Sequence, residues 1–321
     1  MLDILYCFDE NYNKQAGSSI SSLASKVDEK INLYIIHENP ESFESIEKRL
    51  LTYGQINEIH MYKFEDKGYD FPNLQGSHVS QATYFRLFIE NYLPNNIEYL
   101  TYIDADVICL NNPIDHIKNT IEQMKLNGFN IAGRVEGTQE ISKEYFEHLG
   151  FSGKEYFNAG VVVINFENWI KQSMTKSLLN IMEEKHSKII YWDQDVLNSY
   201  YSGNFQHLDE YLNFNLDLNQ YSEESLQHIK NNVIFLHYSG NGKPWKYDSV
   251  FKPNSSFYQN AYKKMFNSNY HTDIPLKKHE IITLFRLLKS IQKKDKGLAV
   301  KFCISNLVIL LKKITNYYLN R

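Results

Sequence analysis

Residues 2–37 run LDILYCFDENYNKQAGSSISSLASKVDEKINLYIIH. The first seven, Leu2–Phe8, form a short apolar run that stops at Asp9, the pattern of a buried strand. Ala16–Ala24 is rich in serine and other small residues and reads as the helix that follows. Ile31–His37 is a second apolar strand. Working outward, Phe43–Leu51 looks helical and Glu58–Tyr62 suits a third strand. Strands alternating with helices argue for a mostly parallel sheet with helices on both faces. Nucleotides bind outside the carboxyl ends of such strands, so Asp9 is placed for a ligand.

Beyond this start, Val79–Tyr92 (VSQATYFRLFIENY) has helical character and ends before Pro94. Glu98–Cys109 (EYLTYIDADVIC) is β-branched and aromatic and reads as a strand, interrupted by two aspartates. Glu155–Asn165 (EYFNAGVVVIN) and Asn232–Tyr238 (NVIFLHY) read as further strands, and Ser173–Lys185 as a helix. No internal repeat or low-complexity segment interrupts them.

The chain has 321 residues, 43% hydrophobic and 14% aromatic, enough for one large α/β domain or two smaller ones. Most of its 24 tyrosines and 19 phenylalanines are expected to fill core, although aromatic faces also suit sugars and nucleobases. Cys7, Cys109 and Cys303 form no C-x-x-C pair, which fits a reducing compartment better than a disulfide framework or a zinc site. The apolar run at Leu2 carries the expectation of no secretory signal. A composition break at Pro275 separates two differently charged parts: residues 276–321 carry +9 and the other 275 carry −13. An acidic body argues against nucleic-acid binding. Ile281, Leu284, Phe285, Leu288 and Ile291 recur at helical spacing, with Arg286, Lys289 and Lys293 interleaved. Phe302–Leu311 is far shorter than the about 20 apolar residues that a membrane span needs. The expectation is a basic amphipathic tail, 276–321, that lies on an anionic membrane surface.

Five segments carry candidate chemistry. In a strand, residues two apart share a face, so Asp104 and Asp106 repel each other and are costly to bury unless a divalent cation sits between them. The alternative is a strand end whose aspartates begin a loop, and the chain holds a second Asp-x-Asp at Asp193–Asp195. His237 closes the NVIFL run and can complete a two-aspartate site, tilting the choice toward manganese over magnesium. The loop after it, YSGNGKPW, can bring backbone N–H groups and the Lys243 ammonium to a phosphate. Asp9, Asn11 and Tyr12 offer an acid, an amide and an aromatic ring for a nucleoside; alternatively Asp9 is a helix N-cap. Tyr191–Asp195 (YWDQD) is a helix start or a sugar pocket. Arg86 stands out in an otherwise apolar helix, where an ordinary ion pair is the plainer reading.

Together these segments resemble glycosyltransferase family eight, especially the bacterial enzymes that add galactose or glucose to lipopolysaccharide or lipooligosaccharide outer cores. The resemblance covers about residues 2–250 and rests on CFDENY, FRLFIENYLP, YLTYIDADVICL, YFNAGVVVIN with DQDVLN, and HYSGNGKPW, in the family's order. It implies a single GT-A type, Rossmann-like α/β domain with a mixed sheet over residues 1–275, plus the basic helical tail 276–321. It implies that Asp104, Asp106 and His237 bind manganese or magnesium. Asp9, Asn11 and Tyr12 would hold uridine, Ala105 would lie against the donor between the two aspartates, and Gly240 and Lys243 would contact the diphosphate. Arg86, Asn158, Asp193 and Gln194 would surround the donor hexose. Where the family often has an aspartate facing the acceptor, this chain reads IAGRVEG; Glu136 stands nearby without a matching register.

The resemblance implies a retaining hexosyltransferase that uses a UDP-hexose and a saccharide or lipid-linked glycan acceptor. It would work in the cytoplasm, peripherally on the inner face of the cytoplasmic membrane. Gln194 is a poor nucleophile, which favours front-face attack through an oxocarbenium-like state. The competing readings are a family-eight enzyme with a protein or other glycan acceptor, a non-catalytic nucleotide-sugar-binding scaffold, and a metal-dependent phosphohydrolase.

Overall fold

The computed structural model describes residues 1–273 apart from 67, 73–79, 137–142, 152–154, 220–221, 241, 247 and 269. The expected tail, 276–321, lies outside the described residues, and so does the first residue of the segment Val79–Tyr92. The described residues form two compact units: residues 1–214 with 230–237, and residues 215–229 with 238–273.

The first unit is built on a seven-stranded sheet. Its strands are β1 (Leu2–Phe8), β2 (Ile31–His37), β3 (Ile56–Lys63), β4 (Tyr99–Ile103), β6 (Ile131–Val135), β7 (Phe157–Asn165) and β8 (Gln206–His207); β5 (Val107–Cys109) stands outside it. The order is β3-β2-β1-β4-β7-β6-β8. Strands β1 to β4 run parallel, β7 is antiparallel to both neighbours, and β8 is parallel to β6. The sheet is therefore mixed, with a parallel-dominated half. Register aligns Phe8 with His37 and His37 with Lys63, and pairs Leu5 with Tyr102. The carboxyl ends of β1 and β4 thus open on one sheet edge, where Asp9 and Asp104 begin their loops.

Helix α1 (Asn13–Ala24) explains its own composition. Ten of its twelve residues are buried, five of them serines or glycine. Small side chains let the helix lie close to the sheet, and Tyr6 Oη meets Ser19 Oγ at 3.1 Å. Serine hydroxyls inside a helix need acceptors; Ser18, Ser21 and Ser22 donate to the carbonyls of Lys14, Ser18 and Ser19.

Two local expectations need correction. Glu98–Cys109 is not one strand: the chain turns at Asp104–Asp106, and β5 leaves the large sheet to pair antiparallel with the short strand Phe235–His237. The two aspartates therefore converge through a turn, not through strand alternation. The segment Gln81–Asn91 is helical as expected, but it is an eleven-residue 3₁₀ helix. With three residues per turn, side chains at i and i+3 eclipse, which stacks Thr83 over Arg86. Its apolar residues pack into the main core, with Phe85 stacked on Phe64 at 3.8 Å.

The second unit packs around Tyr238, Trp245 and the helix Ser256–Phe266. Tyr238 Oη donates to the Asn254 carbonyl at 2.7 Å, and Trp245 lies 4.9 Å from the Tyr258 ring. Among the described residues, no helix is long and apolar enough to cross a membrane.

Candidate active site

At the edge where β4 ends, ligand atoms of Asp104, Asp106 and His237 all lie within 4.8 Å of one another. His237 Nε2 stands 3.4 Å from Asp106 Oδ1 and 3.9 Å from Asp104 Oδ2. The pairing of β5 with Phe235–His237 sets His237 opposite Val107, beside the turn that carries the aspartates. Two carboxylates and one imidazole nitrogen at this spacing fit a divalent cation of the magnesium or manganese kind. Burial pushes the Asp104 carboxyl above its usual range, a rise that the Arg86 guanidinium opposes only in part. Its Oδ1 also accepts from Tyr102 Oη at 2.5 Å. Ala105, between the aspartates, is buried.

Arg86 is the second centre. It is almost wholly buried, and its Nε donates to Asp193 Oδ2 while Nη1 donates to the Ala159 carbonyl. The guanidinium lies 4.2 Å over the Tyr102 ring, and Nη1 is 3.9 Å from Asp104 Oδ1. Burial works to lower its pKa, and the carboxylates of Asp193 and Asp104, together with Tyr102, outweigh that. Thr83, stacked over Arg86, donates to the other oxygen of Asp193. The ion pair that the sequence offered as the plainer reading is therefore present, and it joins the 3₁₀ helix to the start of helix Trp192–Tyr201.

That helix begins with Trp192 at φ +49°, a left-handed conformation uncommon for a bulky residue. Asp195 anchors the turn: it accepts from Tyr145 and Tyr156 hydroxyls at 2.5 Å and from the N–H groups of Ile190 and Tyr191. Burial raises its carboxyl pKa, and those donors oppose the rise. The arrangement turns Asp193 toward Arg86 and Gln194 toward β7, where Gln194 Oε1 accepts from Ala159 N–H at 2.9 Å.

Strand β7 is irregular at this point. Its pairing with β6 jumps from Gly133–Val162 to Arg134–Asn158, leaving Ala159–Val161 out of that ladder. Buried backbone groups must find partners elsewhere. Ala159 uses Gln194 and Arg86; the Gly160 N–H donates to Asn158 Oδ1, and the Gly160 carbonyl accepts from Asp104 N–H. Asn158 Nδ2 reaches Glu136 Oε1 at 2.5 Å, and Arg134 pairs with the same carboxylate at 2.9 Å. The Asn158 amide, expected around the hexose, is thus engaged at both ends within the protein. Glu136 is joined to that network.

Asp9 caps the short helix Glu10–Tyr12, accepting from Asn11 and Tyr12 N–H groups at 2.9 and 3.3 Å. It also lines a cavity at the same strand ends, with Glu38, Phe64, Asp66 and Ser80. Asn11 is exposed and Tyr12 half-buried. In the second unit, Gly240 has φ +66° and Lys243 Nζ donates to the Tyr238 carbonyl at 2.7 Å. Sequence reading missed Thr83, Tyr102, Gly160 and the fully buried Asn213. A threonine three residues before Arg86, the arginine set in an otherwise apolar helix, was a usable signal for Thr83; Asn213 lies in no motif.

An α/β unit with acidic loops at the carboxyl ends of its strands and a three-ligand metal-competent cluster is the arrangement of a GT-A type fold. Comparison with known proteins agrees. The sequence pattern described as Glycosyl transferase family 8 matches residues 3–249. A lipopolysaccharide 1,2-glucosyltransferase of Escherichia coli K12 is 30% identical over 296 residues, 88% of this chain and 82% of its own. A lipopolysaccharide 1,3-galactosyltransferase of Salmonella typhimurium is 25% identical over 252 residues, 76% of this chain and 72% of its own. The crystal structure of the galactosyltransferase LgtC in complex with donor and acceptor sugar analogs superposes with TM-score 0.67 at 22% identity, covering 86% of this chain and 98% of LgtC. That last likeness is one of fold. The chain belongs to glycosyltransferase family 8 and is a hexosyltransferase.

Proposed function

We propose that the protein is a retaining transferase that moves galactose or glucose from a UDP-hexose to a saccharide acceptor, forming an α-glycosidic bond. The observation that carries this reading is the convergence of Asp104, Asp106 and His237 at the edge where β1 and β4 end. The named activities of the Escherichia coli and Salmonella typhimurium relatives support a lipopolysaccharide acceptor, and the proposed acceptor is an outer-core glycan of lipopolysaccharide or lipooligosaccharide. The proposed place of work is the cytoplasmic face of the inner membrane, with residues 276–321 as the membrane-associating part.

Asp104, Asp106 and His237 would hold the cation, manganese in preference to magnesium, which when bound neutralises charge on the leaving diphosphate. Asp9, Asn11 and Tyr12 are assigned to the uridine, and Ala105 to the donor beside the metal ligands. Gly240 and Lys243, three and six residues beyond His237, are assigned to the diphosphate on the family pattern. Arg86 and Asp193 hold each other and frame the hexose. Asp193 already accepts from Thr83 and Arg86, and Gln194 Oε1 from Ala159 N–H. Neither oxygen is poised as a nucleophile, which favours front-face attack. The acceptor oxygen bonds to the anomeric carbon as the carbon–oxygen bond to UDP breaks, and its proton passes to the departing diphosphate oxygen.

The test is transfer and donor hydrolysis with UDP-galactose and UDP-glucose on an acceptor saccharide, with manganese or with EDTA. One UDP-hexose should be consumed in manganese and spared in EDTA, and Asp106→Ala should lose nearly all turnover while keeping the wild-type circular dichroism. Undiminished turnover in EDTA or in Asp106→Ala overturns the reading.

A further inference from the structure

We propose that Asn213, oriented by Asn158 and Gly160, fixes the tautomer and position of His237, so that Nε2 turns its lone pair to Asp104 and Asp106. This rests on the reading that those three residues hold a divalent cation. Asn213 is a positioning residue: it touches His237 and not the reacting atoms.

One backbone group here has a direction that is not open to choice. A peptide N–H can only donate. Gly160 N–H lies 2.9 Å from one end of the Asn158 amide, so that end is the oxygen. The other end is then the NH2, and it meets the Glu136 carboxylate at 2.5 Å, an acceptor. Asn213 meets the same Asn158 oxygen at 2.9 Å and must offer its own NH2 there. Its oxygen therefore faces His237 Nδ1, 2.9 Å away. The ring nitrogen at that contact must carry the proton, and Nε2 keeps the lone pair. Nε2 is the atom 3.4 Å from Asp106 Oδ1 and 3.9 Å from Asp104 Oδ2. Three acceptor atoms then point at one place, an arrangement that a cation relieves.

Position is set by the same residues. Asn213 and His237 are both buried. A methyl group on Gly160 would come within 2.2 Å of His237 Cε1 and 2.6 Å of Nδ1, so the ring lies flush against the glycine backbone. Gly160, whose N–H orients Asn158, lies within the stretch Ala159–Val161 that the β6 ladder omits. Hydrogen bonds that orient metal-binding histidines commonly change affinity about 10–100-fold.

The experiment uses the full chain with ¹⁵N-labelled histidine, assigned by the resonances lost in His237→Gln. In metal-free protein at alkaline pH, His237 should show a protonated Nδ1 and a bare Nε2. Asn213→Leu should give a mixed or reversed pattern and bind manganese roughly 10–100-fold more weakly, measured by the free-ion electron paramagnetic resonance signal. Asn213→Asp, which keeps the acceptor for Nδ1–H, should restore the wild-type tautomer. A wild-type His237 protonated on Nε2 overturns the proposal, and so does a folded Asn213→Leu with wild-type tautomer and affinity. The wild-type spectrum decides the question even where Asn213→Leu does not fold. Failure of wild type to bind manganese, with Nδ1 protonated, would sink the metal reading and leave the tautomer assignment standing.

Discussion

Replacing Arg86 by methionine removes a guanidinium and keeps most of the side-chain volume. In the native protein that guanidinium answers Asp193, caps the Ala159 carbonyl and stacks on Tyr102. Both members of the ion pair are under 4% exposed, so neither can turn to water when the other is lost. Asp193 would keep only its Thr83 contact among the hydrogen bonds described above. Breaking a buried pair by removing one partner costs about 3–5 kcal/mol. With an unfolding entropy of about 2.1 cal/mol/K per residue over the roughly 250 described residues, that lowers Tm by roughly 6–9 °C. The assay is thermal unfolding at pH 7.5 of Arg86→Met, Asp193→Asn and the double variant. The double variant should be less damaged than the sum of the two singles, because it leaves no uncompensated charge at position 193. A Tm within 1 °C of wild type for Arg86→Met, or strictly additive losses, would refute the argument.

Three further outcomes are expected. Burial holds the His37 imidazole down to about 4, against its ordinary 6.5, with the ring contacting Asn13 and accepting from Asn39 N–H. Because the unfolded chain takes up the proton first, the contribution of His37 is whole above pH 6.5. It should fall by about 3 kcal/mol as pH drops through 4; urea midpoints of wild type and His37→Gln should converge over that window, and a pH-independent difference would contradict it. Tyr12→Ala should weaken UDP binding by roughly 1–3 kcal/mol in calorimetry if the ring stacks on uracil, and equal wild-type affinity for UDP and GDP would count against a uridine pocket. Proton NMR of the product should show an α-anomeric signal, and a β-linked product would remove the retaining mechanism.

Much of this was readable in one dimension. The apolar runs ending at Phe8 and Ile103 announced strands whose carboxyl ends carry acids, since a charged residue ends a buried strand where it meets water. The small-residue run Ala16–Ala24 announced a helix close to the sheet. The segment Glu98–Cys109 misled because β-branched residues flank the aspartates on both sides, and local propensity does not report that the two halves join different sheets. The Asp9 alternatives both stood in the sequence; the capping bonds are present, and the same carboxylate lines the cavity.

The sequence by itself determined the alternation of strands and helices, the strand ends at which Asp9 and Asp104 lie, and the residue types available for a cation: these depend on hydrophobic period and on side-chain chemistry, which are local. Tertiary structure alone decided that His237, 131 positions beyond Asp106, closes the cluster through an antiparallel pairing. It also decided that Asn158 and Asn213 face each other, that Arg86 answers Asp193, and that β7 drops three residues from its ladder with β6. Those contacts join residues far apart in the chain, and each is directional: a hydrogen bond or a metal ligand is defined by angle and distance, which no pattern of residue types along a chain contains.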